Sequence, residues 1–342
     1  MRRLLLPLAL LVAVTASAQE FQESIDVVRI LFDVRVTEFG GDPILGLDAG
    51  DFHVTIAGKK VNVESVRWVD ETTGIVINTR EGDTPDEIGE AVVEEKRGRL
   101  IVLFVQTDFA REPSRVAGQL NFLRHAETMI DSFAEEDRIA VFSFDSHLKF
   151  RLDFSSDKEK VKEQIRAALR TDVPPPPPIV PNPALASRLD AEEMKNAANS
   201  ETALVLLGNA LRHIEGPKTL LLLGWGLGVR SGGRVEMRPQ WKAARNALDA
   251  ARTSIFALDT TVADYHDLQV GLIKAAEDTG GFYAKTHQFP QLAVERLQRT
   301  LTGHYELELR RPDALKRGTH PVVVTVKNRS ALVLAPQSYT DR

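Results

Sequence analysis

From residue 27 to residue 68 apolar and polar positions alternate. Ile30, Phe32, Val34 and Val36 fall on one face of an extended chain and Leu31, Asp33, Arg35 and Thr37 on the other. A GGDP turn follows, and the segments FHVTIAG and KVNVESVRWV repeat the period of two, so the pattern predicts a small antiparallel β region. Between Thr72 and Lys96 the chain becomes acidic and rich in turn formers, the composition of an exposed connection.

At Arg99 the texture changes. RLIVLFV, RIAVFSF, TLLLLGW and SIFALD are short unbroken apolar runs separated by helical stretches, the pattern of a parallel sheet covered by helices on both faces. The first helix is predicted to pack on the sheet through Val116, Leu120, Leu123, Ala126 or Glu127, Ile130 and Phe133, at 3.6-residue spacing. LQVGLIKAAEDTGGFYAK predicts a later helix that ends at Gly280-Gly281 before a short strand. After Gly303 the period of two returns in YELELRR, HPVVVTVK and ALVLAPQSY. The expected fold class is α/β, a doubly wound, mostly parallel sheet inserted in a small antiparallel β-sandwich made from both chain ends. The expected divisions are a leader over 1–18, an N-terminal β domain and linker over 19–96, the α/β domain over 97–303, and C-terminal strands over 304–342 that pack with the N-terminal ones.

Composition adds a compartment. MRRLLLPLALLVAVTASAQE places two arginines before an apolar run that ends in Ala16-Ser17-Ala18, a secretory signal peptide with a small-residue cleavage site. Gln19 excludes a lipid anchor on an N-terminal cysteine, and with no cysteine in the chain there are no disulfides. No later run reaches the roughly 18 apolar residues of a membrane helix. An extracytoplasmic protein without a transmembrane segment is expected, periplasmic or secreted. The net charge of −5 argues against a nucleic-acid partner. Five consecutive prolines in VPPPPPIVPNP, from Val173 to Pro183, read as a stiff polyproline II spacer.

DVRVTEFGGDPILGLDAGDFHVTIAGKKV, HAETMIDSFAEEDRIAVFSFD, SIFALDT, LIKAAEDTGGFYAK and the closing HYELELRR, HPVVVTVK and APQSY together resemble a bacterial VWFA-related family of the acidobacterial type. The likeness runs over essentially the whole chain after the leader. It implies a von Willebrand factor type A (vWA) domain with its ligand site at the carboxyl ends of the strands. Such domains carry a metal-ion-dependent adhesion site: Asp-x-Ser-x-Ser after the first strand, a Thr before a central helix and an Asp after the fourth strand. Mg²⁺ suits those carboxylate and hydroxyl oxygens because it is a hard, strongly hydrated cation.

Here the first motif reads Gln106-Thr107-Asp108-Phe109-Ala110, and Trp225 stands where the fourth-strand Asp is expected. The Thr corresponds to Thr202 in SETALVLLGNAL, where a hydroxyl also serves as a helix cap. Loss of two carboxylates removes the charge that offsets dehydrating the ion. The expectation is therefore a non-enzymatic protein-binding rim of Gln106, Thr107, Asp108, Trp225 and Asp259 that needs no cofactor. The alternative is a remodelled Mg²⁺ or Mn²⁺ site on Asp108 and Thr202, joined by Asp259.

The remaining constellations are weaker. The eight histidines form no HExxH spacing. Ser143, Asp145 and His147 are too close in sequence to converge as a triad, and no GxSxG elbow exists. Asp264-Tyr265-His266-Asp267 is the one cluster on which a hydrolase reading rests, and acids near a helix start are favourable without any catalysis.

Overall fold

The computed structural model describes residues 29–73, 75–80, 92–93, 98–107, 110, 112–170, 184–327 and 330–341. The leader, most of the acidic connection, the polyproline segment and Asp108 lie outside the described residues.

The chain begins with β1 (Arg29–Thr37), β2 (Phe52–Ile56), β3 (Lys59–Val61), β4 (Val63–Asp70), β5 (Ile75–Arg80) and β6 (Val92–Val93). There follow β7 (Leu100–Gln106), α1 (Pro113–Asp131), β8 (Arg138–Phe144), β9 (Leu148–Ser155), α2 (Lys158–Leu169), α3 (Ala191–Asn196) and α4 (Ser200–Leu211). Next come β10 (Lys218–Gly224), β11 (Val229–Ser231), β12 (Arg234–Glu236), α5 (Gln240–Ala250), β13 (Thr253–Asp259), α6 (Gln269–Asp278), β14 (Tyr283–Lys285) and α7 (Pro290–Thr300). The chain closes with β15 (Gly303–Arg310), β16 (Gly318–Val326), β17 (Leu332–Leu334) and β18 (Ser338–Asp341).

One sheet has the order β14-β13-β10-β7-β8-β9 and is parallel except for the edge strand β9, which is antiparallel to β8. The continuous apolar runs are explained by burial on both faces. Val102 and Phe104 of β7 join Leu204, Leu248 and Leu272 from the helices of one side, while Leu103 and Val105 join Phe122, Met129 and Leu297 from the other.

The first helix packs on the sheet through Ala126, Ile130 and Phe133 as expected, with Leu123 against the same core, but its buried face is turned from the expected one in the first turns. Gly118, Gln119, Phe122, Ala126, Met129 and Ile130 are buried, whereas Leu120 is exposed. A Cβ on Gly118 would lie 1.6 Å from the Thr260 carbonyl oxygen, so α1 seats closely only with this glycine inward.

The other strands form two antiparallel sheets, β17-β1-β15-β4-β5-β6 and β18-β16-β2-β3. Strands from the two ends of the chain pair directly, β1 with β15 and β17, and β2 with β16. Both sheets feed one apolar cluster, including Phe32, Val34, Val54, Ile56, Leu307 and Val322. At its centre Tyr305 packs against Phe52 and Trp68 and donates its hydroxyl to the Ile44 carbonyl at 2.9 Å.

Candidate functional site

The in-register parallel strands bring three chain positions to one edge. Gly224 is opposite Asp259, Leu223 is opposite Val105, and Gln106 ends β7 beside them. Gln106 is buried. Its Oε1 accepts hydrogen bonds from the backbone N–H groups of Trp225 at 3.0 Å and Gly226 at 3.1 Å. Its Nε2 donates to Ser200 Oγ at 3.0 Å and to the Gly226 carbonyl at 2.7 Å. One amide thus ties the end of β7 to the loop after β10 and to the start of α4. A carboxylate could accept the two N–H groups but would face the Gly226 carbonyl without a proton to share. Gly224 makes room for this arrangement, because a Cβ there would meet Gln106 Oε1 at 2.6 Å.

Thr107 is buried and donates its N–H to the Phe144 carbonyl at 2.8 Å. Thr202 lies at the start of α4, where both its N–H and its hydroxyl donate to Asn199 Oδ1, at 2.8 and 3.0 Å. Asn199 is the cap of that helix. Its neighbours Ser200 and Glu201, not singled out from the sequence, do more at the rim. Ser200 accepts from Gln106, and buried Glu201 accepts the Gly228 N–H at 2.7 Å. The hydroxyl and acid in SETAL were the available signal, but nothing in the sequence said which of them face inward.

Trp225 is half-buried under Arg115, whose guanidinium carbon stands 3.7 Å from the ring centroid. Asp259 is 2% exposed. Its Oδ1 accepts the Thr261 N–H at 3.0 Å, and its Oδ2 contacts His266 Nε2 at 2.6 Å and the Tyr283 hydroxyl at 2.7 Å. Burial, and then the Asp259 carboxylate it donates to, push the Tyr283 phenol well above its usual range. The segment 264–267 lies before α6, and Arg230 pairs with Asp267 at 2.9 Å, tying the β11–β12 hairpin to it. Tyr265, 64% exposed, and exposed Phe289 add aromatic surface, with Gln288 bonded to Asp264.

Ser143, Asp145 and His147 do not converge. Ser143 Oγ accepts from Arg151, while Asp145, Ser146 and His147 bond to one another in the β8–β9 turn. Among the described residues, the metal-capable trio whose ligand atoms lie within 4.8 Å of one another is Asp33, His304 and Glu306. It stands beside Arg252, at the amino end of β13 and away from the rim.

No family model matches the chain, and no curated protein does. Among solved structures it is similar to a von Willebrand factor type A protein from Catenulispora acidiphila, with 8% identity and a TM-score of 0.43 over 92% of this chain and 74% of that one. It is also similar to a point mutant of the PilB minor pilin from Streptococcus sanguinis, at 11% identity and a TM-score of 0.39 over 80% of each chain. A third likeness is to BatB from Bacteroides thetaiotaomicron, at 12% identity and a TM-score of 0.36 over 59% of this chain and 98% of that one.

Proposed function

We propose that this is an exported, non-enzymatic vWA-like protein whose rim at the carboxyl ends of the parallel strands binds another protein without a metal ion. In this reading the antiparallel strands from both chain ends form a sandwich that carries the α/β unit and leaves the rim outward. The observation that carries it is the Gln106 amide, which makes four hydrogen bonds across the position where the resemblance places a metal-binding carboxylate. The loops that a cation would otherwise gather are already gathered. Thr202 is committed to its helix cap, and the Asp259 carboxylate to three donors. The rim's outer surface is aromatic and cationic at Arg115 and Trp225, with exposed Tyr265 and Phe289 nearby, the residue types that anchor protein contacts.

The test is titration calorimetry of the chain with Mg²⁺, Mn²⁺ and Ca²⁺ beside Asp108→Ala and Thr202→Ala. The expected result is that neither substitution changes the heats. A saturable component that disappears in either variant overturns the metal-independent reading.

The 2.6 Å contact between Asp259 and His266 favours one second reading, a hydrolase in which this pair acts as acid and base. A hydrolase screen that yields no activity dependent on His266 removes it.

A further inference from the structure

Strands β1 and β15 set two acids against each other. Asp33 and Glu306 are register partners, an arrangement that repels unless a cation bridges them. His304 lies two residues before Glu306, on the same face of β15. In the structure the bridging cation is Arg252, which reaches Asp33 and Glu306 at 2.5 Å each. Arg252 does so from a left-handed backbone, φ 50°, which residues with side chains adopt at a cost.

His304 is not accounted for by that arginine. It is 1% exposed, and its Nδ1 meets Glu71 Oε1 at 2.7 Å. A carboxylate only accepts, so Nδ1 donates its proton to Glu71, which leaves Nε2, facing Asp33, as the nitrogen that would ligate an ion. Nε2 has no hydrogen-bond partner, and Asp33 Oδ1 stands 3.5 Å away. Two ligands held at 2.0–2.1 Å from a tetrahedral ion are separated by roughly 3.3 Å. A histidine whose far nitrogen donates to a carboxylate is the usual setting of a metal-bound imidazole.

We propose that Asp33, His304 and Glu306 form a binding site for a borderline divalent cation of the Zn²⁺ class, oriented by Glu71 and held by Arg252 when no metal is bound. The donor set of one imidazole nitrogen and two carboxylate oxygens suits such an ion. The site has an entrance. His304, Glu306 and Arg252 line a cavity of about 770 Å³ between the antiparallel sheet and the amino ends of the parallel strands. The Arg252 side chain is 27% exposed, and the cavity gives it room to withdraw as the dication replaces its charge. This site is separate from the rim and does not depend on how the rim binds its partner.

The experiment is titration calorimetry of the full chain with ZnCl₂ alone, on the native protein and on His304→Gln, Arg252→Gln and Glu71→Gln, with Asp259→Asn as the rim control. Native protein is expected to bind one ion saturably, and His304→Gln to lose that binding. Arg252→Gln is expected to bind severalfold more tightly, because the guanidinium that bridges Asp33 and Glu306 is gone and only Arg67, on Glu306 Oε2, still competes. Glu71→Gln, which keeps all three ligands, is expected to weaken binding roughly 10–100-fold and so reports the site even if His304→Gln does not fold. Asp259→Asn should leave the isotherm unchanged. No saturable heat in the native chain, native affinity in His304→Gln or in Glu71→Gln, no tightening in Arg252→Gln, or heat lost in Asp259→Asn overturns the proposal.

Discussion

Replacing Gln106 by alanine would strand the N–H groups of Trp225 and Gly226 and the hydroxyl of Ser200 at a buried edge. An unsatisfied buried donor costs about 1–3 kcal/mol, so Gln106→Ala is expected to destabilise the chain by about 3 kcal/mol, read by chemical denaturation. Gly224→Ala should be destabilising by the same route, since its methyl would press on Gln106 Oε1 and on Leu222. A Gln106→Ala chain as stable as the native one would show that the amide does not hold the rim together. The identity of Gln106 is plain in the sequence. Its four bonds are not, because Ser200 and Gly226 lie 94 and 120 residues further along the chain.

At the scale of elements, two contacts carry opposite pH dependences. Asp249 near the end of α5 bonds Ser338 of β18. Burial, with Asp278 adding to it, pushes the Asp249 carboxyl up to about 7 against Ser338 and Arg245, which pull it down. A carboxyl raised on folding contributes stability that is present below its unfolded value near 4 and is lost as pH rises through 7. Asp249→Asn is therefore expected to flatten the decline between about pH 4 and 7 and to stabilise the protein at pH 8 by about 2 kcal/mol, measured by denaturant midpoints across pH. Glu71, after β4, behaves in the opposite sense. Burial works against its charge, but Arg35 and His304 hold its carboxyl down at about 2. That contribution is present above about pH 4.5 and disappears as pH falls through 2, so Glu71→Gln should remove a component of acid unfolding. Native acid sensitivity in Glu71→Gln would discount the pair.

At the scale of the molecule, the last strands are not an appendage. β15 lies between β1 and β4 in the six-stranded sheet, and β16 holds β2. A chain truncated after Leu301 is expected to lose cooperative unfolding and β circular dichroism from the antiparallel part, since β1 and β4 would face each other across an empty strand position. Full retention of the native melt would contradict this pairing scheme.

The elements that bury both faces follow from local pattern alone. β7, β8, β10 and β13 are legible as unbroken apolar runs because a strand covered by helices on two sides admits little else. The period of two likewise marks strands at both ends of the chain. Which polar residues are buried depends on how the sheets pack. Asp33 and Arg35 read as the outward face of an alternating strand, yet both are buried, because that face of the antiparallel sheet looks onto the parallel-sheet unit. His304 and Glu306 meet Asp33 only through strand pairing across some 270 residues. Alternation reports which side chains share a face, whereas what covers that face depends on contacts between distant segments, and no local pattern encodes them.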